Sequence, residues 1–445
     1  MNRPTSLNLS PEQLPAAALL DYIDASPSPW HAVATTEAQL NAAGFRQLHE
    51  NERWCVGAGD RCYVVRAGSS LIAFVVGEKP LVESGLRMVG AHTDSPGLRL
   101  KPKAPHLADG MLRLGVEIYG GPILATFADR DLSLAGRVSI KSSKATTGIE
   151  TRTLRFDQPL VRLPNLAIHM NREVNEQGLK LHKQNELPLL LATGDAFLNT
   201  ADAADYFAGL LAEKAAIERD DLLSWEITAY DTQPGSFWGA NHEFIANSQL
   251  DNLASCHAAL SALLVTTAPE ATAMIALFDH EEVGSESAAG AGGSFVADVI
   301  NRLGAALGGD AEDQRRALAN SFFISADMAH AWHPNFPAAY EPCHRVMVNG
   351  GPVIKSNASQ RYSTGAETAA RFMHLCETAN VPVQQYSHRT DLGCGSTIGP
   401  IVAARLGIAS VDVGCPMWAM HSIRESAGTL DHGYMIAALS AAFAS

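Results

Sequence analysis

A chain of 445 residues is too long for one ordinary hydrophobic core and leads to an expectation of about two to three folding units. Hydrophobic residues make up 47% and charged residues 18%, a globular composition that excludes a disordered chain. The formal net charge is −14, and no block of Lys or Arg stands against it, so a nucleic-acid partner is not expected.

The first residues, from Met1 to Pro11, are polar and lack a basic segment followed by an apolar one, so no secretory signal is read. No run reaches about 18 uninterrupted apolar residues, so no membrane span is expected. Seven cysteines without a C-x-x-C pair read as reduced intracellular thiols, and the expected location is the cytoplasm. Ser10-Pro11-Glu12-Gln13 suits the start of a helix carrying Leu14, Leu19, Leu20 and Ile23, and a second helix is expected over 29–44. Strands are expected at 62–65, 71–76 and 86–91. From about 98 to 235 the pattern changes to period-two alternation, as in 112–118 and 132–140, which suits half-buried antiparallel strands. Beyond 235, strands at 321–325 and 408–413 alternate with helices at 252–265, 364–380 and 434–444, which implies a mostly parallel sheet covered on both faces. The expected architecture is an α/β domain, 1–98 and 236–445, interrupted by an inserted β-rich domain, 99–235.

The apolar run Ala271-Thr272-Ala273-Met274-Ile275-Ala276-Leu277-Phe278 ends in Asp279-His280-Glu281-Glu282. Two adjacent glutamates raise each other's pKa and resist burial. They make sense beside a cation, or if one binds metal and the other moves protons. Matching groups follow other expected strands or lie in loops: His92-Thr93-Asp94, Asp251-Asn252, Asp327 and His421. Strand carboxyl ends converge on one crevice in an open parallel sheet. Two His, two Asp and one Glu suit two zinc-like ions sharing a carboxylate, and two ions about 4 Å apart clamp a water nucleophile and polarise a carbonyl. Taken singly, each residue also has a bland role: Asp251 suits an N-cap for the helix at Asn252, and His421 a structural loop position. The Gly-rich segment near Gly290 lacks a phosphate-binding pattern.

These stretches resemble the aspartyl aminopeptidase family of dizinc metallo-aminopeptidases. The likeness rests on Gly90-Ala91-His92-Thr93-Asp94-Ser95-Pro96, Ser248-Gln249-Leu250-Asp251-Asn252, Phe278-Asp279-His280-Glu281-Glu282-Val283-Gly284-Ser285, Ser325-Ala326-Asp327-Met328-Ala329-His330-Ala331, Gly350-Gly351-Pro352-Val353-Ile354-Lys355 and Met420-His421-Ser422-Ile423-Arg424-Glu425. It implies that Asp251 bridges the ions, that His92 and Asp327 hold one ion, and that Glu282 and His421 hold the other. It makes Glu281 the general base and Asp94 the carboxylate that orients the histidine. It places His330, Lys355 and Tyr362 along the substrate pocket and sends His169 into a neighbouring subunit's site. It implies two Zn2+ per subunit, a role that Co2+ or Mn2+ also fits, and a homo-oligomer, a dodecamer contacted through the inserted domain. The substrates implied are peptides with a free acidic N-terminus, and Lys355 is the cation expected to select Asp or Glu. Two other readings stand beside this one. A dizinc carboxypeptidase or deacylase would read a different end of its substrate. A non-catalytic metal-stabilised scaffold would show a lost ligand or base, whereas Glu281 and all five ligands are present. Asp279 and His280 receive no role, since continued strand alternation turns His280 away from the metal side.

Overall fold

Two apolar helices open the part of the chain that the computed structural model describes, residues 9–194 and 202–445. The first eight positions, part of the polar stretch read for a secretory signal, lie outside the described residues. A 3-10 turn, Pro11–Gln13, runs into α1 (Leu14–Asp24), which buries Ala16, Leu19, Leu20 and Ile23 at helical spacing on one face. In α2 (Pro29–Ala42) proline takes the first helical position, where its missing N–H costs nothing. The chain then leaves through Gly44 at φ +82°, a left-handed turn that favours glycine.

The chain divides into two compact units. The first comprises the residues up to Asp94, Gly235–Met420 and Glu425–Ser445. Its main sheet uses β1 (Arg46–Gln47), β2 (Arg61–Arg66), β3 (Ser70–Val75), β4 (Leu86–His92), β5 (Thr272–Phe278), β6 (Phe322–Ala326), β7 (Val353–Ser356), β8 (Gln384–Ser387) and β9 (Ala409–Gly414). Their spatial order is β1-β2-β3-β5-β4-β6-β9-β7-β8. The four central strands, β5, β4, β6 and β9, are mutually parallel. Side chains alternate between the faces of a strand. Leu71, Ala73, Val75, Ala273, Ile275 and Leu277 therefore pack into one core, with α1, α2, α3 (Leu250–Val265) and α5 (Asp431–Phe443). Ile72, Phe74, Met274, Ala276 and Phe278 pack into the other, against α4 (Phe295–Ala306). A second sheet of this unit joins Ser236–Trp238, Phe244–Asn247, Glu425–Gly428, Pro416–Trp418 and Ala329–His330 in that order.

The second unit comprises Ser95–Pro234 and the short segment His421–Arg424. Its antiparallel sheet runs Ile149–Arg155, Leu132–Lys141, Leu222–Asp231, Gly97–Ala108, Met111–Tyr119 and Leu189–Thr193. A helix, Ala203–Ala215, seats Phe207 and Leu211 in the core of this unit. Asp202 caps that helix by accepting the Asp205 N–H at 2.8 Å. Among the described residues, no helix is long and apolar enough to cross a membrane.

Candidate metal centre

β4 ends in His92, and its two neighbours end immediately before acidic groups: β5 at Phe278 before Asp279, and β6 at Ala326 before Asp327. The register pairs Phe278 with His92 and Ser325 with Gly90, so Asp327 arrives level with His92 on the adjacent strand. Parallel strands about 4.8 Å apart thus deliver their last residues side by side. His92 Nε2 lies 3.4 Å from Asp251 Oδ1, 3.5 Å from Asp327 Oδ1 and 3.9 Å from Glu281 Oε2. One ligand atom from each of His92, Asp251 and Asp327 lies within 4.8 Å of the other two, and the same holds for His92, Glu281 and Glu282.

Asp251 reaches this point from the start of α3. The N-cap position falls to Gln249, and Asp251 and Asn252 have non-helical backbone angles with a cis peptide between them. The capping role that its sequence position suits is therefore not the role seen: its carboxylate is turned toward His92. The Asp251 N–H donates to Glu425 Oε2 at 3.0 Å, and Asn252 Nδ2 donates to Ala326 O at 2.9 Å, at the end of β6.

Glu281 and Glu282 do not continue β5. They stand on a single 3-10 turn, Glu281–Val283. With about three residues per turn, successive side chains point roughly 120° apart, so adjacent glutamates face different ways. The buried Asp94 carboxylate holds this turn. Its Oδ1 accepts the Glu281 N–H and its Oδ2 the Glu282 N–H, each at 3.1 Å. The same carboxylate lies 3.5 Å from His92 Nδ1, and Asp94 O lies 3.0 Å from that nitrogen. His92 is thereby oriented with Nε2 toward the acidic groups, an arrangement common around metal-binding histidines.

The electrostatics call for a cation. Burial opposes charge on His92, but Asp251, Asp327 and Asp94 outweigh it and hold the imidazole well above its ordinary range. Burial, then the charges of Asp327, Asp251 and Asp94, pushes Glu281 up to about 7, against the opposing pull of His92. Carboxylates this close repel unless positive charge sits among them. Oxygen and imidazole donors at this spacing fit zinc.

Lys355, on β7, is buried. Its ammonium donates to Asp327 O at 3.2 Å and Met328 O at 3.1 Å, and lies 3.4 Å from Asp327 Oδ2. Three N–H groups are thus accounted for by three acceptors, and the charge sits directly behind a candidate ligand. The Lys355 Nζ also lies 5.1 Å from the centre of the buried Tyr362 ring. The His330 ring stands 5.8 Å from that of Tyr386 and 6.2 Å from that of His388. Burial, with Lys355 and His388 adding to it, lowers His330 to about 4, so it is neutral at neutral pH.

His169 and His421 belong to the second unit. His169 is exposed on a 3-10 turn, Ile168–Met170, and His421 Nδ1 lies 3.1 Å from Gly121 O. Sequence reasoning missed the supporting groups: Glu425, Asn252, and Cys256, whose Sγ donates to His92 O at 3.0 Å. Two of them were in view, since Asn252 follows Asp251 and Glu425 closes the stretch that begins Met420-His421. A single interior cysteine such as Cys256 carries no sequence signal of this kind.

The family described as "Aminopeptidase I zinc metalloprotease (M18)" matches residues 22–443. A protein of Stutzerimonas stutzeri (strain A1501) named "Probable M18 family aminopeptidase 2" is 48% identical over 427 residues, 96% of this chain and 97% of its own. A protein of the same name from Ectopseudomonas mendocina (strain ymp) is 47% identical over 431 residues, 96% of this chain and 97% of its own. Among solved structures, a chain of the Ape4 and Nbr1 complex superposes with a TM-score of 0.93 at 35% identity, covering 97% of this chain and 86% of that one. The S. cerevisiae mApe1 dodecamer gives 0.83 at 26% identity, covering 97% and 96%. With almost its whole length matched, this chain belongs to the M18 family and is one of its zinc-dependent aminopeptidases.

Proposed function

We propose that this aminopeptidase releases Asp or Glu from the N-termini of peptides, using two zinc ions per subunit and Glu281 as general base. The observation that carries this reading is the convergence of His92, Asp251 and Asp327 with Glu281 3.9 Å from the shared imidazole nitrogen. Asp251 would be shared by the two ions, and His92 and Asp327 would complete the set for one. Glu282 would hold the other, together with His421, which is assigned from its motif. When bound, zinc supplies Lewis acidity toward water and the scissile carbonyl. Glu281 accepts the proton of the attacking water through a carboxylate oxygen. It then passes that proton to the nitrogen of the leaving amine as the C–N bond breaks.

An acidic substrate side chain near so many carboxylates needs a compensating charge, and Lys355 supplies it. Of its three contacts, the one to Asp327 Oδ2 is the longest, at 3.4 Å, and it is the one a substrate carboxylate would replace. His330 and Tyr362 line the same pocket. The reading extends to a homo-oligomer of the dodecameric kind, with His169 reaching a neighbouring subunit's site. Supporting it, His169 lies among Leu166, Ile168 and Met170, which are 64%, 48% and 75% exposed. Such an apolar patch marks an interaction surface. The free state of all seven cysteines suits a reducing compartment such as the cytoplasm.

The test is a panel of dipeptides with Asp, Glu, Ala or N-acetyl-Asp at the first position, with and without a chelator, beside metal analysis per subunit. Expected are two zinc ions, turnover of Asp and Glu above Ala, no cleavage of the acetylated substrate, and loss of all turnover with chelator. Lys355→Ala should lower kcat/KM for acidic residues selectively; an equal loss for Asp and Ala would reject Lys355 as the selecting charge.

A further inference from the structure

Asp279 and His280 sit beside the two glutamates, and among the described residues neither is in a group placed to hold a metal ion. We propose that His280 and Ser287 are positioning residues that fix the Glu281–Glu282 turn, in addition to the clamp supplied by Asp94. The proposal rests on the reading of Glu281 as base and Glu282 as zinc ligand.

His280 occupies the left-handed region, φ 64° and ψ 22°, at the head of the 3-10 turn. A non-glycine residue there is strained and persists where its surroundings hold it. Three contacts hold it. Asp279 Oδ1 accepts the His280 N–H at 2.7 Å. His280 O accepts the Ser285 N–H at 2.7 Å, closing the turn. His280 Nδ1 lies 2.8 Å from Ser287 Oγ.

Ser287 is anchored in turn. Its Oγ accepts the Gly290 N–H at 3.0 Å, which leaves the hydroxyl hydrogen to be donated to His280 Nδ1. His280 then carries its own hydrogen on Nε2, 3.5 Å from Asp279 Oδ2. The loop bearing Ser287 is packed backbone against backbone. A Cβ at Gly290 would stand 2.1 Å from Ser285 O, and one at Gly293 2.4 Å from Ser287 O. That loop is tied to the sheet through Ser70 at the start of β3, whose Oγ donates to Ala289 O at 2.7 Å and accepts the Asp279 N–H at 2.9 Å. A rigid loop is thereby linked by one imidazole to the residue whose backbone angles aim both glutamates. Small rotations at His280 would swing both carboxylates at once. Productive sites tolerate displacements of only about 0.5 Å, and partners outside the ligand set typically influence metal affinity by about 10–100-fold.

The test compares His280→Ala, Ser287→Ala and His280→Asn in the full-length protein. Zinc affinity is read by competition with a chelator, kcat and KM on an Asp dipeptide, and thermal unfolding on the metal-free protein. Glu286→Ala, at an exposed position of the same loop paired with Arg405, serves as control. The expected result is about a tenfold rise in the zinc dissociation constant and about a tenfold fall in kcat for both alanine variants. KM should stay within about twofold and metal-free unfolding close to the parent. His280→Asn should recover most of the loss, because asparagine tolerates the left-handed region and can accept the Ser287 hydroxyl. Parental zinc affinity and kcat in both alanine variants would overturn the proposal, as would an equal change in Glu286→Ala. Glu282→Gln tests the ligand reading separately. If it keeps its zinc, that reading fails; if it loses zinc while the alanine variants match the parent, only the positioning role fails.

Discussion

At Asp94 one buried carboxylate accepts the N–H groups of both Glu281 and Glu282 and lies 3.5 Å from His92 Nδ1. Asp94→Ala leaves two inward amides without their acceptor and leaves the His92 Nδ1 only the Asp94 carbonyl, at 3.0 Å. Zinc affinity should fall by about 10–100-fold; a zinc titration giving the parental constant would show that Asp94 has no such role. Glu281→Gln keeps the shape of the turn but removes the proposed proton acceptor. It should retain zinc and lose about 100- to 10,000-fold in kcat, and wild-type turnover in the zinc-loaded variant would remove Glu281 from the mechanism. At this scale the acidic residues were legible because ionisable groups after apolar strands are costly unless used. Their geometry was not. Continued strand alternation was expected at His280, whereas a left-handed His280 heads a 3-10 turn that separates the two glutamates. Nor did sequence position show that Lys355 is buried against Asp327 and Met328.

Among the elements, β4 is closely hemmed in. It lies between β5 and β6, and Gly90 sits two residues before His92. A Cβ at Gly90 would stand 2.5 Å from Phe323 Cζ and 3.0 Å from Ile398 Cδ1. Gly90→Ala should therefore destabilise the protein by about 1–3 kcal/mol through overpacking. Adding Phe323→Leu should return part of that loss. Urea unfolding of the single and double variants decides it, and strictly additive losses would mean that the two positions do not meet. Several elements were readable from the sequence because alternation or helical spacing repeats inside them: β3, β4, β6 and α5 fall within a few residues of expectation. Strands of two to four residues, such as β7, β8 and the members of the second sheet, hold too few alternations to register. α4 was missed for another reason. Its apolar face, Phe295, Val296, Val299, Ile300 and Leu303, follows a run of small residues that draws attention to the loop.

Across the whole molecule, acid sensitivity has a source away from the metal centre. His257 on α3 and His432 on α5 are buried and stacked, with 2.8 Å between His257 Nδ1 and His432 Nε2. The Tyr22 ring packs 5.2 Å from His257. Burial lowers His257 to about 4, and burial with its neighbour lowers His432 well below the ordinary histidine range. As pH falls below about 6.5 the unfolded chain takes up protons that the folded state refuses, so stability drops between about 6.5 and 4 and is retained above that window. For His257 the loss by pH 5 is on the order of 2 kcal/mol. The urea midpoint should fall from pH 7 to pH 5, and less steeply in His257→Phe; an unchanged slope in that variant would place the acid sensitivity elsewhere. Replacing Ile168 and Met170 by glutamate should shrink the assembly seen by light scattering, and an unchanged mass would exclude this patch as a subunit contact.

The central position of β4 also sets a timetable. Both of its sheet partners lie far downstream: β5 begins at Thr272 and β6 at Phe322, whereas β4 ends at His92. A ribosome adding about 5–20 residues per second needs roughly 10–40 s to cover the intervening 180 residues, 92 to 272, before the first partner emerges. For that interval a seven-residue strand, six of whose residues are buried in the finished protein, has both edges unpaired. The nascent chain therefore depends on keeping this segment away from its neighbours on the polysome, and slow translation through the second unit should raise the yield of aggregate before any zinc is bound.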